Sequence, residues 1–394
     1  MKLFSKYSLP LLSIFIVSNA AMVSTAAIAA PSIVPAPPSL GAKGYVLIDF
    51  NSGDVLVEKN AHTKLNPASL TKLMTSYVAG QEMKRGNISA DDKVRISENA
   101  WAKNFPDSSK MFIEVNTNVD MMDLYRGLII QSGNDASVAI AEHVAGSEGA
   151  FVDLMNSWAS SLQLNNTHFA NAHGLDAEEL YSTPYDIALL GRAIIRDLPD
   201  VYGLYSERSF SYNGITQHNR NGLLRDRSLN VDGMKTGYTS GAGYSLASSA
   251  TQGEMRLIAV VMGSSSIKGR ESDSKQLLSY GFRFFDTLNP HQSGDLISEE
   301  KLWFGTQDTL KLGVDQDAYI TLPKADGKKL SASVELTSDL KAPIEKGQTL
   351  GVVHYTVDGE DIKTQPLVAL ESVQEGSFFK RILDHIKLFF ANLF

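Results

Sequence analysis

The sequence predicts an α+β fold: an antiparallel sheet covered by helices, with a helical subdomain, followed by a small all-β domain. Strand patterns occur at both ends of the first 288 residues, and helical spacing fills the part between them. After Leu288 the chain changes to short alternating apolar and polar runs separated by turn residues. Residues 377–394 then return to helical spacing. We therefore expect a large domain at 41–288, a small domain at 289–374 and a terminal helix at 377–394.

In the large domain, apolar residues three and four apart predict helices, and alternating or continuous apolar runs predict strands. The expected helices are 67–83, 121–144, 149–162, 184–197 and 271–288. The expected strands are 45–50, 54–58, 232–239, 243–249 and 256–262. Asn66 and Ser182 are suitable N-caps for the first and fourth helices, and Pro67 suits a first helical position. The first helix would carry Ser69 in its first turn, with Lys72 on the same face.

The small domain is predicted from shorter signals. Strand-like runs occupy 319–322, 333–336 and 350–357, and the pairs Asp326-Gly327 and Asp358-Gly359 are typical of hairpin turns. The domain should end near Val373. It holds no cluster of residue types suited to catalysis, so we expect a spacer or an interaction role for it.

The N-terminus has the features of a secretory signal at residues 1–29. Lys2 and Lys6 form a basic start, a short apolar stretch follows, and Ala27-Ile28-Ala29 supplies small residues for cleavage. A membrane span is the less favoured alternative, because about 20 apolar residues are needed to cross a bilayer. Residues 30–40 form a Pro-rich leader that we interpret as a linker.

The terminal helix at 377–394 is amphipathic. Phe, Ile and Leu residues recur at helical spacing, while charged residues such as Lys380, Arg381 and Lys387 occupy the other face. The segment is too short and too charged to span a bilayer, so we predict an anchor that lies in the plane of a membrane surface. The alternative is a helix packed on the protein's own core.

Composition excludes several function classes. A net charge of −8 over 394 residues argues against a general nucleic-acid binder. The absence of cysteine excludes thiol chemistry and disulfides, so an exported chain must rely on its core for stability. The eight histidines show no spacing typical of metal ligands, and we predict neither a metal nor a cofactor.

Three short motifs occur in a fixed order: Ser69-Leu70-Thr71-Lys72, Ser132-Gly133-Asn134 and Lys235-Thr236-Gly237. Together they supply an alcohol nucleophile, a nearby base, a proton shuttle and a cationic dock for a carboxylate, which is the equipment for acyl transfer through a serine ester. The first pattern, Ser-x-x-Lys, is not specific alone, because five other serines also begin it. They are Ser265, Ser272, Ser298, Ser338 and Ser377.

The catalytic candidates are Ser69, Lys72 and Ser132. Lys72 can remove the Ser69 proton only if its pKa is lowered by burial or by a nearby cation such as Lys235. Ser132 would relay a proton to the leaving amine, and Asn134 would donate its amide to a substrate carbonyl. Alone, the second motif could equally be a turn between helices.

The binding candidates follow from the third motif. Lys235 and the Thr236 hydroxyl can bind a terminal carboxylate, and Gly237 on an edge strand lets a ligand backbone approach. Arg220 and Arg270 are further carboxylate clamps, because guanidinium pairs with carboxylate through two hydrogen bonds. A surface or loop-bracing role is the alternative for either arginine.

With their flanking residues, these motifs resemble the low-molecular-mass penicillin-binding proteins, the serine-type D-alanyl-D-alanine carboxypeptidases of peptidase family S11. The similar segments are 130–136, 173–176, 219–224, 231–238 and 268–271. The resemblance implies a β-lactamase-like catalytic domain, a β-sandwich stalk and a location at the periplasmic face of the inner membrane. Its substrate would be the peptidoglycan stem pentapeptide, and β-lactam antibiotics would be covalent inhibitors. A weak homodimer is a further hypothesis.

The resemblance also implies residue roles. Ser69 would attack the penultimate D-Ala carbonyl, release the terminal D-Ala, and leave an ester for water to hydrolyse. The oxyanion hole would be the backbone N–H groups of Ser69 and Tyr238, where related enzymes often have His in place of Tyr238. Arg270 would bind the substrate carboxylate, with Arg220 near the mouth of the site. His173 would have a structural role beside it.

Three alternatives stay open at this point. A serine β-lactamase needs a deacylating base, and Glu178 and Glu179 lie in a plausible loop but lack the Glu-x-x-x-Asn spacing. A DD-endopeptidase would use the same residues on crosslinked peptides. A scaffold for cell-shape proteins would use the β-domain without chemistry, although the three intact motifs argue against that as the sole role.

Overall fold

The computed structural model describes residues 34–391 of the chain. The predicted signal peptide and the first residues of the Pro-rich leader lie outside the described residues, as do the last three residues. Within the leader, the carbonyl oxygen of Pro35 accepts a 2.8 Å hydrogen bond from the Tyr280 hydroxyl. Leu40 is buried in the core beneath it, so the described part of the leader packs on the large domain.

The large domain contains nine strands and seven α-helices, besides short 3₁₀ and π-helical segments, among the described residues. The strands are β1 (Gly44–Asp49), β2 (Val55–Lys59), β3 (Lys93–Arg95), β4 (Asn118–Asp120), β5 (Ser209–Tyr212), β6 (Ile215–His218), β7 (Asn230–Thr239), β8 (Gly243–Gln252) and β9 (Met255–Ser264). The helices are α1 (Thr71–Lys84), α2 (Met121–Arg126), α3 (Asn134–Ala145), α4 (Glu148–Ser161), α5 (Pro184–Asp197), α6 (Pro199–Gly203) and α7 (Ile267–Phe284).

A five-stranded antiparallel sheet in the order β2-β1-β9-β8-β7 is the centre of this domain. Successive residues of a strand face opposite sides, and both sides of β9 are buried. Ile258, Val260 and Met262 face the core shared with α1 and α5, whereas Leu257 and Val261 face the core beneath α7. Burial on both faces explains why the sequence of this strand is a continuous apolar run.

Helix α1 begins later than the sequence predicts. Residues Ala68–Leu70 form a 3₁₀ turn, and the α-helix starts at Thr71. The side chain of Asn66 accepts a 2.8 Å hydrogen bond from the Ala68 N–H, so it caps this turn and not the α-helix. Ser69 therefore lies in the tight turn that precedes α1.

Three other local expectations need correction. Thr183 and not Ser182 caps α5, because its side chain accepts the Asp186 N–H. The helix predicted at 271–288 begins earlier, at Ile267, and ends at Phe284, because Phe285–Leu288 form a strand. Asp326-Gly327 lies in a 3₁₀ helix, Lys324–Lys329, and not in a hairpin turn. The second predicted turn is confirmed: Asp358 and Gly359 both have positive φ between two paired strands.

The small domain is all-β, followed by one helix. After β10 (Phe285–Leu288), which ends the predicted large domain, its strands are β11 (Leu296–Trp303), β12 (Thr309–Gly313), β13 (Ile320–Pro323), β14 (Leu330–Leu336), β15 (Leu340–Lys341), β16 (Thr349–Val357) and β17 (Glu360–Ala369). Six of them form a sheet in the order β14-β16-β17-β12-β11-β15, and β10 pairs with β13. Among the described residues, the hydrophobic core of the small domain is a cluster separate from the cores of the large domain.

The terminal helix α8 (Phe378–Ala391) packs on the small domain through its polar face. Asp384 is buried and accepts hydrogen bonds from the Phe304 N–H at 3.0 Å and from Lys380 at 3.1 Å. Phe379 on the opposite face is 77% exposed. Within residues 34–391 no helix has the length and apolar character needed to cross a membrane.

Candidate active site

Ser69 is held by a loop that crosses directly over its turn. Gly174 has φ +85°, and a Cβ at this position would lie 1.9 Å from the carbonyl oxygen of Ala68. Only glycine fits this approach without moving the turn. The same loop is tied down by Asp176, whose carboxylate accepts hydrogen bonds from Asn66 and Thr239, both at 2.7 Å.

Lys72 is buried and its Nζ has three oxygen partners. It lies 3.2 Å from the Ser69 Oγ, 2.7 Å from the Asn134 Oδ1 and 2.5 Å from the carbonyl oxygen of His173. The last two atoms are acceptors only, so they take both N–H groups of a neutral amine. The amine's lone pair then faces the Ser69 hydroxyl, which is the arrangement that a general base requires.

The environment of Lys72 favours this neutral form. Burial, assisted by the positive charge of Arg220 and opposed by the Asp135 carboxylate, lowers the pKa of Lys72 to about 7. The sequence predicted a pKa lowered by burial or by nearby cations, with Lys235 as one such cation. Burial is the larger cause in the structure, and Arg220 is the charge that assists it.

Ser132 and Lys235 form the second half of the site. A π-helical segment, Gly127–Gln131, follows α2 and ends at Ser132, which has the left-handed φ of +60°. The interruption places the Ser132 hydroxyl toward strand β7, where the Lys235 Nζ donates to it at 2.8 Å. Burial and the charges of Lys72, Arg220 and Arg270 lower the pKa of Lys235.

Asn134 is engaged on both sides by the protein itself. Its Oδ1 accepts from Lys72, and its Nδ2 donates to the Ser108 Oγ at 2.9 Å. In the absence of a ligand, this side chain orients Lys72, and its donation to a substrate carbonyl stays a prediction. Ser108 belongs to a loop that no sequence motif had singled out.

Strand β7 borders the site as the edge strand that the sequence predicted. A Cβ on Gly237 would lie 2.9 Å from the Pro67 carbonyl oxygen, so this glycine permits close packing against the turn that carries Ser69. Tyr238 follows it and is 52% exposed, with its ring stacked on Tyr244 at a centroid distance of 4.3 Å. Its side chain therefore forms part of the open wall of the site.

The two predicted arginines both border the site. Arg220 donates to the Ser109 Oγ at 2.6 Å, and Arg270 is buried with its guanidinium donating to the Gly237 carbonyl oxygen at 3.2 Å. Burial lowers the pKa of each. Each arginine is hydrogen-bonded to the protein and also lines the cavity. A loop-bracing role and a carboxylate-binding role are therefore both compatible with its position.

These groups surround one open cavity of about 1070 Å³. All predicted site residues line it except Lys72 and Lys235, which lie beneath its floor and contact the lining hydroxyls of Ser69 and Ser132. The predicted residues at the wall are Ser69, Ser132, Asn134, Arg220, Thr236, Gly237, Tyr238 and Arg270. The structure adds Ser108, Ser109, Leu175, Asp176 and Tyr244, among others.

His173 contributes to the site through its backbone. Its carbonyl oxygen binds Lys72, while its ring accepts the Leu175 N–H at 3.1 Å. Burial, assisted by Lys72, lowers the pKa of His173 to about 3, so the ring is neutral near neutral pH. Residues 34–391 contain no group of His, Asp and Glu side chains arranged to hold a metal ion.

A serine hydroxyl beside a buried lysine of lowered pKa, with a second serine–lysine pair at the same cavity, defines a serine acyl-transfer enzyme. The family model of the D-alanyl-D-alanine carboxypeptidases, peptidase family S11, matches residues 31–266. The C-terminal domain model of penicillin-binding protein 5 matches residues 285–375. The chain belongs to the S11 D-alanyl-D-alanine carboxypeptidase family.

Relatives and solved structures agree with this assignment. The D-alanyl-D-alanine carboxypeptidase DacA of Escherichia coli is 51% identical, over 92% of this chain and 91% of its own. The enzyme of the same name from Haemophilus influenzae is 48% identical, over 91% and 92%. The crystal structure of penicillin binding protein 5 from Haemophilus influenzae has a TM-score of 0.84 and 49% identity, covering 86% of this chain and 100% of that one.

A more distant structure bears on inhibitors. Penicillin-binding protein D2 of Listeria monocytogenes in its ampicillin-bound form has a TM-score of 0.56 and 27% identity, over 63% of this chain and all of that one. These findings confirm the predicted class, a low-molecular-mass penicillin-binding protein and serine D-Ala-D-Ala carboxypeptidase, and its α+β fold with a C-terminal β-domain.

Proposed function

We propose that this carboxypeptidase removes the terminal D-Ala from peptidoglycan stem pentapeptides through an ester on Ser69. One observation carries the proposal: the Nζ of Lys72 lies 3.2 Å from the Ser69 Oγ, and its pKa is lowered to about 7. A lysine with an ordinary pKa would be charged at neutral pH and could not accept the serine proton.

In the first step, neutral Lys72 takes the Ser69 proton while the Oγ attacks the carbonyl carbon of the penultimate D-Ala. Negative charge develops on the carbonyl oxygen. The backbone N–H groups of Ser69 and Tyr238 are the proposed donors to it, because the two residues line the same cavity.

In the second half of this step, the bond between the carbonyl carbon and the leaving nitrogen breaks. The nitrogen must gain a proton to leave as an amine. Ser132 is the proposed relay, since it is held at 2.8 Å by Lys235 and faces the same cavity. Its hydroxyl donates a proton to the nitrogen and takes up the proton that Lys72 removed from Ser69, so Lys72 is neutral again. Terminal D-Ala departs, and the remaining peptide stays attached to Ser69 as an ester.

Water then hydrolyses the ester. Lys72 is the proposed base for the attacking water and returns a proton to the Ser69 oxygen as the ester bond breaks. The enzyme regains its starting protonation state, and the shortened stem peptide is released.

Substrate selection depends on the terminal carboxylate. Lys235, the Thr236 hydroxyl and Arg270 are the proposed dock, and the two cations are buried without a carboxylate partner among the described salt bridges. A bound substrate carboxylate supplies that counter-charge and favours the protonated form of Lys235. A β-lactam presents a carboxylate and a reactive amide in the same way and would acylate Ser69 without rapid release.

We place the signal peptide at 1–29, the leader at 30–40, the catalytic domain at 41–288, the stalk at 289–374 and the anchor at 377–394. Helix α8 would hold the enzyme against the periplasmic face of the inner membrane, supported by its row of exposed apolar side chains. They are Phe378, Phe379, Ile382, Leu383, Ile386, Phe389 and Phe390. The weak homodimer stays a prediction.

Labelling with a fluorescent penicillin tests the nucleophile. The wild type should be labelled covalently and Ser69→Ala should not. Ser265→Ala is the matched control, because Ser265 begins another Ser-x-x-Lys pattern and is exposed outside the cavity. Equal labelling of wild type and Ser69→Ala would overturn the assignment.

The substrate is tested with two muropeptides. A muramyl pentapeptide should release free D-Ala, which is measured directly. Cleavage of a crosslinked dimer at a higher rate than the pentapeptide would make the enzyme an endopeptidase instead, using the same residues.

A further inference from the structure

A buried carboxylate next to the second motif takes no step in the proposed chemistry, although its charge raises the pKa of Lys72. Asp135 follows Asn134 directly and is fully buried. Its oxygens accept four backbone N–H groups, three of them from consecutive residues of one loop. The donors are Met111 at 2.8 Å, Phe112 at 2.9 Å, Ile113 at 3.2 Å and Ala136 at 2.9 Å.

We propose that Asp135 is a positioning residue that clamps the loop 108–113 against the active site and thereby orients Asn134 and Arg220. This inference rests on the proposed function, because those two side chains act on Lys72. Asp135 itself touches no reacting atom.

The clamped loop reaches the site through two adjacent serines. The Ser109 carbonyl oxygen accepts the Asn134 N–H at 2.9 Å, and the Ser108 Oγ accepts from the Asn134 Nδ2 at 2.9 Å. The Ser109 Oγ accepts from Arg220 at 2.6 Å. Asn134 in turn binds Lys72, so the loop is one contact removed from the base.

The loop needs such an anchor because residues 108–113 have no regular secondary structure. Phe112 has φ +69°, an unfavourable backbone conformation for a residue with a side chain. Without Asp135, the buried N–H groups of Met111 and Ile113 and the part-buried N–H of Phe112 would lack this acceptor. Loss of these hydrogen bonds would destabilise the loop, and an ionised carboxylate accepts them more strongly than a neutral group.

The clamp also accounts for the middle residue of Ser132-Gly133-Asn134. A Cβ on Gly133 would lie 2.7 Å from the Asp135 Oδ1 and 3.1 Å from the Met111 nitrogen. Any larger residue would enter the space between carboxylate and loop. The glycine therefore serves the clamp as well as the turn.

Asp135→Asn tests the proposal, because it keeps the volume but replaces one acceptor oxygen with a donor. A misplaced catalytic group can cost about 100-fold, so we expect acylation of Ser69 by a labelled penicillin to slow by about that factor. The matched control is Asp49→Asn. Asp49 is also fully buried and accepts a backbone N–H, that of Ser52 at 2.8 Å, but it does not line the cavity.

The control should lose thermal stability while retaining the wild-type acylation rate. Wild-type acylation by Asp135→Asn would overturn the proposal, and so would an equal slowing in Asp49→Asn. Labelling of the wild-type Ser69 is unaffected by either result, so failure here is distinct from failure of the proposed function.

A double-mutant cycle separates positioning from general destabilisation. If Asp135 acts through Ser108, Asp135→Asn combined with Ser108→Ala should acylate no more slowly than Asp135→Asn alone. When Asp49→Asn is combined with Ser108→Ala, the effects of the two substitutions on the acylation rate should multiply. Losses that multiply in the Asp135 pair would contradict the clamp.

The wild-type protein supplies a test that needs no variant. Hydrogen exchange followed by NMR should show the amides of Met111, Phe112 and Ile113 protected despite lying in an irregular loop. Exchange of all three at the rate of an unstructured peptide would overturn the clamp, whether or not Asp135→Asn folds.

Discussion

The Nζ of Lys235 donates a 2.8 Å hydrogen bond to the hydroxyl of Ser132, across 103 residues of sequence. Lys235 belongs to the edge strand of the sheet, whereas Ser132 lies at the interruption between two helices. Both side chains are buried. The contact therefore joins the sheet to the helical subdomain at the point where chemistry is proposed, and the site depends on the packing of both.

The acylation rate should rise with pH and level off above a midpoint near 7. Burial lowers the pKa of Lys72 to about 7, and only the neutral amine, which predominates above that pH, can accept the Ser69 proton. Stopped-flow acylation by a fluorescent penicillin from about pH 5 to about pH 9 measures this profile. A rate independent of pH through 7 would argue against Lys72 as the base.

Lys72→Arg provides the corresponding variant. Its guanidinium stays charged throughout this range, so acylation should fall by about 10²- to 10⁴-fold at every pH. Retention of a wild-type profile by this variant would exclude the assigned role.

Arg220→Gln should move the midpoint of the same profile to higher pH. The positive charge of Arg220 lowers the pKa of Lys72, so its removal raises that pKa and extends the protonated, inactive form upward. Arg225→Gln is the control, since Arg225 lines the same cavity but donates to the Asn219 carbonyl oxygen. Its midpoint should match the wild type, and equal shifts in both variants would contradict the assignment.

Gly174→Ala should strongly reduce acylation of Ser69. The added Cβ would lie 1.9 Å from the Ala68 carbonyl oxygen, so the turn that carries Ser69 must move. Displacement of a catalytic group by about 1 Å can cost about 100-fold in rate. Rate constants for penicillin acylation measure this effect.

Gly146→Ala is matched to it in backbone conformation. Gly146 has φ +78° against +85° for Gly174, but no atom lies within 4 Å of its added Cβ. We expect a loss of about 1–2 kcal/mol in the free energy of unfolding, from the left-handed backbone alone, with normal acylation. Similar acylation rates in the two variants would show that crowding at Gly174 is harmless.

Phe379→Asp combined with Phe389→Asp should abolish sedimentation with lipid vesicles. Both side chains lie on the exposed apolar face of α8, and a charge there opposes burial among acyl chains. Ile362→Asp is the control, because Ile362 is an exposed apolar residue of β17 in the same domain. Persistent binding by the double variant would count against the anchor, while penicillin acylation should be normal in all three proteins.

The order and spacing of the three motifs were sufficient to predict the class of chemistry, and they indicate Ser69 and Lys72 as the proposed nucleophile and base. Ser69 and Lys72 are three residues apart, and a helical turn at that spacing brings their side chains together whatever the rest of the fold does. The strand that carries Lys235 was predictable for a similar reason, since its apolar run and following hairpin are local patterns.

The contacts that bring the motifs together depend on the whole domain. Several contacts join residues that are distant in sequence, and no spacing rule connects them. They are Asn134 with Ser108, Arg220 with Ser109, and Lys72 with the His173 carbonyl oxygen. The pKa of Lys72 likewise follows from complete burial, which no short segment determines.

The sequence by itself predicted which residues carry the chemistry, a secretory signal at residues 1–29 and an amphipathic last helix, because each prediction rests on neighbouring residues. Only the tertiary structure decided that Ser69 lies in a 3₁₀ turn beneath Gly174, that Arg220 assists Lys72, and that α8 is docked through Asp384. These are contacts between distant segments, and their geometry is set by packing of the folded chain.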